Sequence, residues 1–147
     1  MSFADVSEAA GIDRYSPILG RGLSVGDFDN DGKSDVLIVD NDGAPLLLHN
    51  RTRHPGNWIG IRFVGGSSNR NAYGAVVTAR AGGRLLTRHC HSDGSYMSAS
   101  DSRLRIGLGD ALRAEEISVR WPSGRRTALK NVLSGRYITM REAELEE

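Results

Sequence analysis

The sequence has almost no cysteine, no long apolar run and no signal sequence. Cys90 is the single cysteine among 147 residues, so an internal disulfide is excluded and stability has to come from packing or from a bound metal. No stretch approaches the roughly 18 consecutive apolar residues that a membrane span needs. Residues 1–5 lack the basic and then apolar beginning of a signal peptide. A membrane-spanning protein is therefore not expected.

Aromatic residues are also scarce, and the charge is unevenly distributed. The nine aromatic residues do not interleave with the basic ones as in nucleic-acid-binding domains, which disfavours nucleic acid as a partner. Residues 1–50 carry nine acids against three bases, a balance of −6, whereas residues 51–147 carry sixteen bases against nine acids, a balance of +7. Either the halves form two functional surfaces, such as a metal site and an anion-binding face, or the arginines are the polar faces of strands.

Short alternating segments predict an all-β protein. Beyond residue 57, apolar side chains recur at every second position, which indicates one buried and one exposed face. The 18 glycines and a turn about every ten residues favour an antiparallel β-sandwich or a barrel-like domain. Residues 22–28, 35–40 and 45–50 form an N-terminal hairpin unit. The positions expected to be buried are Ile59, Ile61, Phe63, Ala75, Val77, Ala79, Leu104, Ile106, Leu108, Ile117, Val119, Trp121, Ile138 and Met140.

Residues 27–35 contain four aspartates spaced like the ligands of a calcium loop. The aspartates occupy loop positions one, three, five and nine, and a chain that curls round an ion presents every second side chain inward. Gly32, at position six, permits the sharp reversal that turns the next carbonyl toward the ion. The expected metal ligands are Asp27, Asp29, Asp31, Lys33 (through its carbonyl) and Asp35.

The ligand set favours calcium. Oxygen ligands alone argue against zinc or copper, which would draw on histidine or cysteine, and four carboxylates in nine residues repel one another without a cation. Ile38 stands at position twelve, where a helix-loop-helix site has a bidentate glutamate, and residues 36–39 are typical of a strand. The prediction is therefore a calcium loop without its helices, with a dissociation constant on the order of 10⁻⁴–10⁻³ M. The alternative is an acidic hairpin turn that binds nothing.

Residues 26–37 closely resemble the FG-GAP or VCBS repeat, the calcium-loop repeat of integrin-type β-propeller blades. Residues 57–142 resemble the ASPIC/UnbV domain of cartilage acidic proteins and their bacterial relatives, and Arg120-Trp121-Pro122-Ser123-Gly124 is the most distinctive matching piece. The resemblance implies an FG-GAP/VCBS-like calcium-binding repeat at 1–50 and an ASPIC/UnbV-like β domain at 57–143. It also implies an extracellular or periplasmic location, although this chain shows no signal peptide.

The sequence departs from the ASPIC/UnbV pattern at two places, and it contains one calcium repeat. Where relatives usually read Asn-Arg-Asp-Gly-Ile-Gly-Ala, this chain has Asn71, Ala72 and Tyr73 at the middle three positions, and Ala99 follows Ser98 where glutamine is usual. A propeller needs several blades, but a single calcium repeat is present. We therefore expect residues 22–50 to pack against the arginine-rich half, or the chain to be the C-terminal piece of a longer propeller protein.

The turn around Trp121 is a second candidate site. Trp121 itself is expected to be a core anchor. The flanking Arg120, Arg125 and Arg126 form a candidate rim for a carboxylated or sulfated glycan, or for an acidic protein patch, because guanidinium groups make forked contacts with such anions.

His89 and His91 are a third candidate. Their spacing along a strand can hold zinc, but no third ligand is identifiable, and two solvent-facing histidines are the simpler expectation.

These features together predict a calcium-binding, non-enzymatic interaction or adhesion module of extracellular type. The expected partners are an acidic protein surface or an anionic glycan, and the oligomeric state stays open. One alternative is a C-terminal structural fragment of a larger β-propeller protein. Another is a hydrolase, which would need serine, histidine and aspartate side chains to converge in a cleft, although no Gly-x-Ser-x-Gly motif is present.

Overall fold

The computed structural model describes residues 2–15 and 17–142, which contain ten strands, one short α-helix and one 3-10 helix, Asp13–Tyr15. The helix α1, Ser7–Ala10, ends at Gly11, whose φ of 70° is typical of a helix C-terminus. None of the helices in these residues has the length and apolarity that a membrane crossing requires. The strands are β1 (Gly20–Gly26), β2 (Asp35–Asp40), β3 (Leu46–Leu48), β4 (Asn57–Val64), β5 (Val76–Ala81), β6 (Arg84–His89), β7 (Leu104–Gly109), β8 (Arg113–Arg120), β9 (Arg126–Leu133) and β10 (Arg136–Arg141).

The strands form three sheets, which confirms the all-β prediction. The N-terminal sheet has the order β1-β2-β3, the mixed sheet β10-β4-β7, and the four-stranded sheet β6-β5-β8-β9. The pairs are antiparallel except for β10 and β4, which run parallel from Arg136 opposite Ile59 to Arg141 opposite Val64. This parallel pair brings the end of the chain beside the strand that opens the second half.

The core lies between the mixed sheet and the four-stranded sheet. Thirteen of the fourteen positions expected to be buried are buried, and Ile138 is partly buried against them. Across the core, the rings of Phe63 and Trp121 meet edge to face with their centroids 6.0 Å apart. Trp121 is fully buried and donates its indole N–H to Thr127 Oγ1 at 2.9 Å, so its expected role as a core anchor is confirmed.

The apolar alternation did not delimit strands β6 and β9, although the sequence reasoning placed His89 and His91 on a strand and residues 120–126 in a hairpin. They are the two edges of the four-stranded sheet, and most of their side chains are exposed. An edge strand with polar side chains carries no clear period-two apolar pattern, and this explains why the alternation did not give their bounds. The division of the chain at 50 and 57 stays a prediction, and residue 143, its expected end, lies outside the described residues.

The N-terminal sheet packs against the second half of the chain through its β1 edge. The segment at residues 92–102 runs along that edge. Ser95 Oγ accepts the N–H of Leu23 at 3.0 Å, Ser100 Oγ accepts the N–H of Val25 at 3.2 Å, and the N–H of Asp101 donates to the Val25 carbonyl at 2.9 Å. These serines bind the backbone of β1, which is a structural role.

Candidate metal centre

The aspartate-rich loop is the connection between β1 and β2. Strand β1 ends at Gly26 and β2 begins at Asp35, so the loop is the turn of a hairpin. Asp27 Oδ1 accepts the N–H of Asp31 at 3.0 Å, and Asp27 Oδ2 accepts the N–H of Gly32 at 2.9 Å. Gly32 has a φ of 85°, a left-handed conformation that glycine adopts at little cost. The loop therefore curls around the Asp27 carboxylate.

Three of the predicted ligands converge. Carboxylate oxygens of Asp27, Asp29 and Asp35 lie within 4.8 Å of one another. Asp27 and Asp35 are each 3% exposed, and Asp35 accepts N–H groups of Phe28 at 2.9 Å and Asn50 at 2.8 Å. Within residues 2–15 and 17–142, no cationic side chain forms a salt bridge with either buried carboxylate. Because buried carboxylates are costly without a counter-charge, this arrangement fits an oxygen-liganded cation.

Asp31 belongs to a neighbouring group. Ligand atoms of Asp29, Asp31 and His49 also lie within 4.8 Å of one another, and His49 Nε2 is 3.0 Å from Asp29 Oδ2. The Lys33 ammonium is 2.6 Å from Asp31 Oδ2, and this hydrogen bond holds the pKa of Asp31 below its usual value. His49 was missed by the sequence reasoning, because it follows β3 and only the fold brings it to the loop.

Trp58 of β4 lies directly against the turn of the loop. A Cβ atom on Gly32 would lie 1.9 Å from Cε2 and 2.1 Å from Nε1 of the Trp58 indole. The Trp58 ring in turn meets the ring of Tyr137 in β10 at 63°, with centroids 5.1 Å apart. The two aromatic rings form a platform on the mixed sheet, on which only a residue without a side chain fits at position 32.

Tyr137 connects this platform to the buried ligand. Its hydroxyl donates to Asp27 Oδ2 at 2.5 Å. Burial, and then this hydrogen bond, raise the pKa of Tyr137 to about 12, so the phenol keeps its proton at neutral pH. Asp27 Oδ1 accepts the N–H of Asp31, and a carboxylate oxygen with one such bond retains a lone pair for an ion.

Two arginines beside β4 hold the loop through its uncharged oxygens. Arg103 donates to the Asp27 carbonyl at 3.0 Å and to Asn30 Oδ1 at 2.5 Å, and Arg105 donates to Ser34 Oγ at 2.8 Å. The arginine-rich half thus contacts the acidic loop. This agrees with the expectation that residues 22–50 pack against that half. These arginine bonds go to carbonyl, amide and hydroxyl oxygens of the loop, and none of them goes to an oxygen of the three converging carboxylates.

Asp101 positions Arg103. Arg103 Nε donates to Asp101 Oδ2 at 2.8 Å, and Arg103 Nη2 lies 2.7 Å from the same oxygen. Burial raises the pKa of Asp101, but the bonds from Arg103 outweigh it and hold the pKa below its usual value.

Residues 65–147 match the family model described as ASPIC and UnbV. The chain belongs to the ASPIC and UnbV family. The match contains every strand from β5 to β10 and leaves out residues 1–64, which include the aspartate-rich loop and Trp58. No curated protein matches the chain.

Glu142 joins three segments of the ASPIC/UnbV region, a role that was not expected from the sequence. Its buried carboxylate accepts N–H groups of Gly66 at 2.9 Å and Ser68 at 2.7 Å, and hydroxyls of Ser68 at 2.9 Å and Ser123 at 2.5 Å. Burial raises the pKa of Glu142, but these hydrogen bonds outweigh it and lower the pKa to about 2. Glu142 is the first of four closely spaced glutamates, a pattern that is typical of a solvent-exposed segment.

The arginines of the β8–β9 hairpin lie at one end of the four-stranded sheet. Arg120 and Arg126 are directly opposite each other in register and both are exposed, whereas Arg125 is half-buried. The adjacent Ser123 hydroxyl is bound to Glu142. Anion binding at this hairpin stays a prediction.

His89 and His91 are both exposed, and the Cys90 thiol between them is buried. Burial raises the pKa of Cys90 to about 11, so the thiol stays protonated and is a poor metal ligand. His91 Nδ1 lies 2.8 Å from Asp93 Oδ1. Within the described ranges, neither histidine belongs to a group of three metal-ligating side chains.

Proposed function

We propose that the chain is a calcium-binding, non-enzymatic interaction module in which calcium fixes the 27–35 loop on the ASPIC/UnbV domain. The observation that carries this proposal is the convergence of Asp27, Asp29 and Asp35, two of them buried and lacking a salt-bridge partner in the described part of the chain. The resemblance of residues 26–37 to the FG-GAP or VCBS repeat supports the same assignment. Asp31 and the Lys33 carbonyl are the further ligands that the spacing supplies.

Calcium suits the converging group better than zinc does. The three carboxylates offer hard oxygen ligands, and calcium accepts six to eight of them in a flexible arrangement. The neighbouring group contains His49, an imidazole that zinc would prefer, but its side chains are more exposed and Lys33 already neutralises Asp31. An ion at the buried group would offset the repulsion among carboxylates that hydrogen bonds alone leave in place.

The place of the loop on the domain supports the proposed interaction role. Gly32 lies against Trp58, Asp27 is bonded to Tyr137, and Arg103 binds the Asp27 carbonyl, so an ion that orders the loop also orders the contact between the N-terminal sheet and the mixed sheet. An acidic protein surface or an anionic glycan is the proposed partner, with Arg120 and Arg126 as one candidate contact. An extracellular or periplasmic location is proposed from the resemblance.

Calcium should raise the melting temperature of the protein. With free calcium tenfold above the dissociation constant, linkage gives about 1.4 kcal/mol, which corresponds to about 4 °C for a chain of this size. Thermal unfolding followed by circular dichroism, in EDTA and with calcium added, measures the shift. Identical melting curves in both conditions would rule out the proposed site.

Two variants separate the converging group from its neighbour. Asp29→Asn removes a charge that both groups share while keeping an oxygen that can accept the N–H of Asp31, and it should abolish the calcium shift. His49→Gln removes the imidazole, which only the neighbouring group contains, and should leave the shift intact. If zinc rather than calcium stabilises the protein and His49→Gln abolishes that effect, the neighbouring group is the metal site and the calcium assignment is wrong.

A structural fragment of a larger β-propeller is the second candidate, and one observation favours it. Leu37, Val39 and Leu47 lie on one face of the N-terminal sheet, where Leu37 and Leu47 are directly opposite each other, and between 40% and 47% of each residue is exposed. A blade would bury such a face against its neighbour. Light scattering tests this directly, because a fragment should dimerise or aggregate and Leu37→Lys should prevent it, whereas a self-sufficient module should be a monomer with either residue.

A further inference from the structure

A basic cleft opens on the outer face of the mixed sheet, beside the area that the aspartate-rich loop covers. Its volume is about 610 Å³, and four arginines line it: Arg62 from β4, Arg70 from the following loop, Arg103 immediately before β7, and Arg141 from β10. Small-ligand sites usually have volumes of about 300–1,000 Å³. The volume of the cleft therefore lies within the range of small-ligand sites.

The acidic side chains near the cleft are already engaged elsewhere. Asp101, the one acid in the described lining, is bound by Arg103. Glu142 follows Arg141 in sequence, but its carboxylate is bonded to serine hydroxyls and backbone N–H groups on the other side of β10. Among residues 2–15 and 17–142, no acid forms a salt bridge with Arg62, Arg70 or Arg141. Within the described part of the chain, the positive charge of these three arginines therefore has no salt-bridge partner.

The strand register places two of these arginines side by side. Arg62 is the Cα partner of Thr139 in the parallel pair, and Arg141 lies two residues further along β10 on the same face. Strand spacing and rise place the Cα atoms of Arg62 and Arg141 about 8 Å apart. Long side chains at that separation can both reach one ligand that carries two anionic groups, and a concave surface of one charge sign concentrates such ligands.

The rest of the lining indicates the ligand's chemistry. Asn71, Ser102 and Thr139 contribute an amide and two hydroxyl groups, which both donate and accept hydrogen bonds. Phe63 also lines the cleft but is 5% exposed, so no deep apolar pocket is available for the hydrophobic anchor that a peptide ligand usually supplies. Guanidinium forks combined with hydroxyl and amide groups match a polyhydroxylated molecule bearing carboxylate or sulfate groups.

We propose that this cleft binds a short acidic saccharide, with Arg62, Arg70 and Arg141 holding its carboxylate or sulfate groups. The site is distinct from the hairpin arginines Arg120 and Arg126, which lie on the four-stranded sheet. It contains none of the converging carboxylates of the loop and does not depend on calcium.

Titration calorimetry at low ionic strength, with EDTA present, tests the site independently of the metal. The acidic probes are a heparin tetrasaccharide, which carries sulfate groups, and a galacturonic acid tetramer, which carries carboxylate groups. The controls are maltotetraose, a neutral sugar, and a hexaglutamate peptide. We expect one or both acidic saccharides to bind, with affinity falling steeply as salt is raised. The double variant Arg62→Ala, Arg141→Ala should weaken that binding at least about tenfold, the loss expected for two charge-assisted contacts.

Matched double variants locate the effect. Arg84→Ala with Arg113→Ala removes the same charge from exposed positions of the four-stranded sheet, and Arg120→Ala with Arg126→Ala removes it from the hairpin. The Arg84, Arg113 variant should bind the acidic saccharides within about twofold of the wild type, since it retains the contacts that the cleft makes. A loss in the hairpin variant as large as that in the cleft variant would assign the saccharide to the hairpin contact instead. The proposal is overturned if neither acidic saccharide binds, if either matched variant weakens binding as much as the cleft variant, or if the neutral sugar or the peptide binds as tightly. Melting curves confirm that each variant is folded.

Discussion

Gly32→Val should remove calcium binding and lift the loop from the mixed sheet. Gly32 has a φ of 85° and a Cβ there would lie 1.9 Å from the Trp58 indole, an overlap that neither a rotamer change nor a small backbone shift can relieve. A β-branched side chain also opposes the left-handed conformation, which costs roughly 1–2 kcal/mol. We expect the calcium affinity measured by calorimetry to fall more than tenfold, and the fluorescence of Trp58 to shift to longer wavelength as the ring becomes solvated.

Gly83 provides a matched control for the backbone part of this effect. It has a φ of 72° and no atom lies within 4 Å of the position that a Cβ would take, so Gly83→Val imposes left-handed strain without a clash. The Gly83 variant should lose some stability, bind calcium as the wild type does and keep the Trp58 fluorescence. A Gly32 variant that retains calcium affinity within about twofold of wild type would show that the turn does not need its glycine.

The strands could be predicted wherever one face is buried. The alternation of Ile59, Ile61 and Phe63 identified both β4 and its buried face, because a strand with one side in the core must carry apolar side chains at every second position. Strands β6 and β9 have no such requirement, since they are edges whose side chains are mostly exposed. The parallel pairing of β4 with β10 is set by packing between segments more than 70 residues apart, and no local pattern encodes it.

The loop could be predicted from the sequence, whereas the residues that surround it could not. The aspartate spacing and Gly32 predicted the turn itself, since that chemistry lies within nine consecutive residues. The residues that seat the loop come from strands far along the chain, among them Trp58 and Tyr137. Trp58 alternates with the buried residues of β4, and the period-two pattern therefore predicted that it lies on a solvent-exposed face. The docked loop covers that face instead, and only the three-dimensional structure shows it.

Glu142→Gln should lower the free energy of unfolding at neutral pH by about 3 kcal/mol, because a buried carboxylate that accepts four hydrogen bonds loses its charge. The folded pKa of Glu142, about 2, lies below its ordinary value of 4.5. The ionised group therefore stabilises the fold fully above about pH 4.5, and this stabilisation is lost as the pH falls toward 2. Urea unfolding at a series of pH values should show the difference between wild type and Glu142→Gln shrinking across that window.

Glu115→Gln is the appropriate comparison for this pH dependence. Glu115 is exposed and accepts one hydrogen bond, from the N–H of Gly82 at 3.2 Å, so its replacement should change stability by less than about 0.5 kcal/mol at every pH. Asp101 also has a lowered pKa, and its contribution cancels in the difference between wild type and each variant. Parallel pH profiles for wild type and Glu142→Gln would mean that the carboxylate does not stabilise the domain as an anion. A difference that disappears on acidification would instead show that Glu142 joins the 65–68 loop to the Trp121 hairpin through its charge.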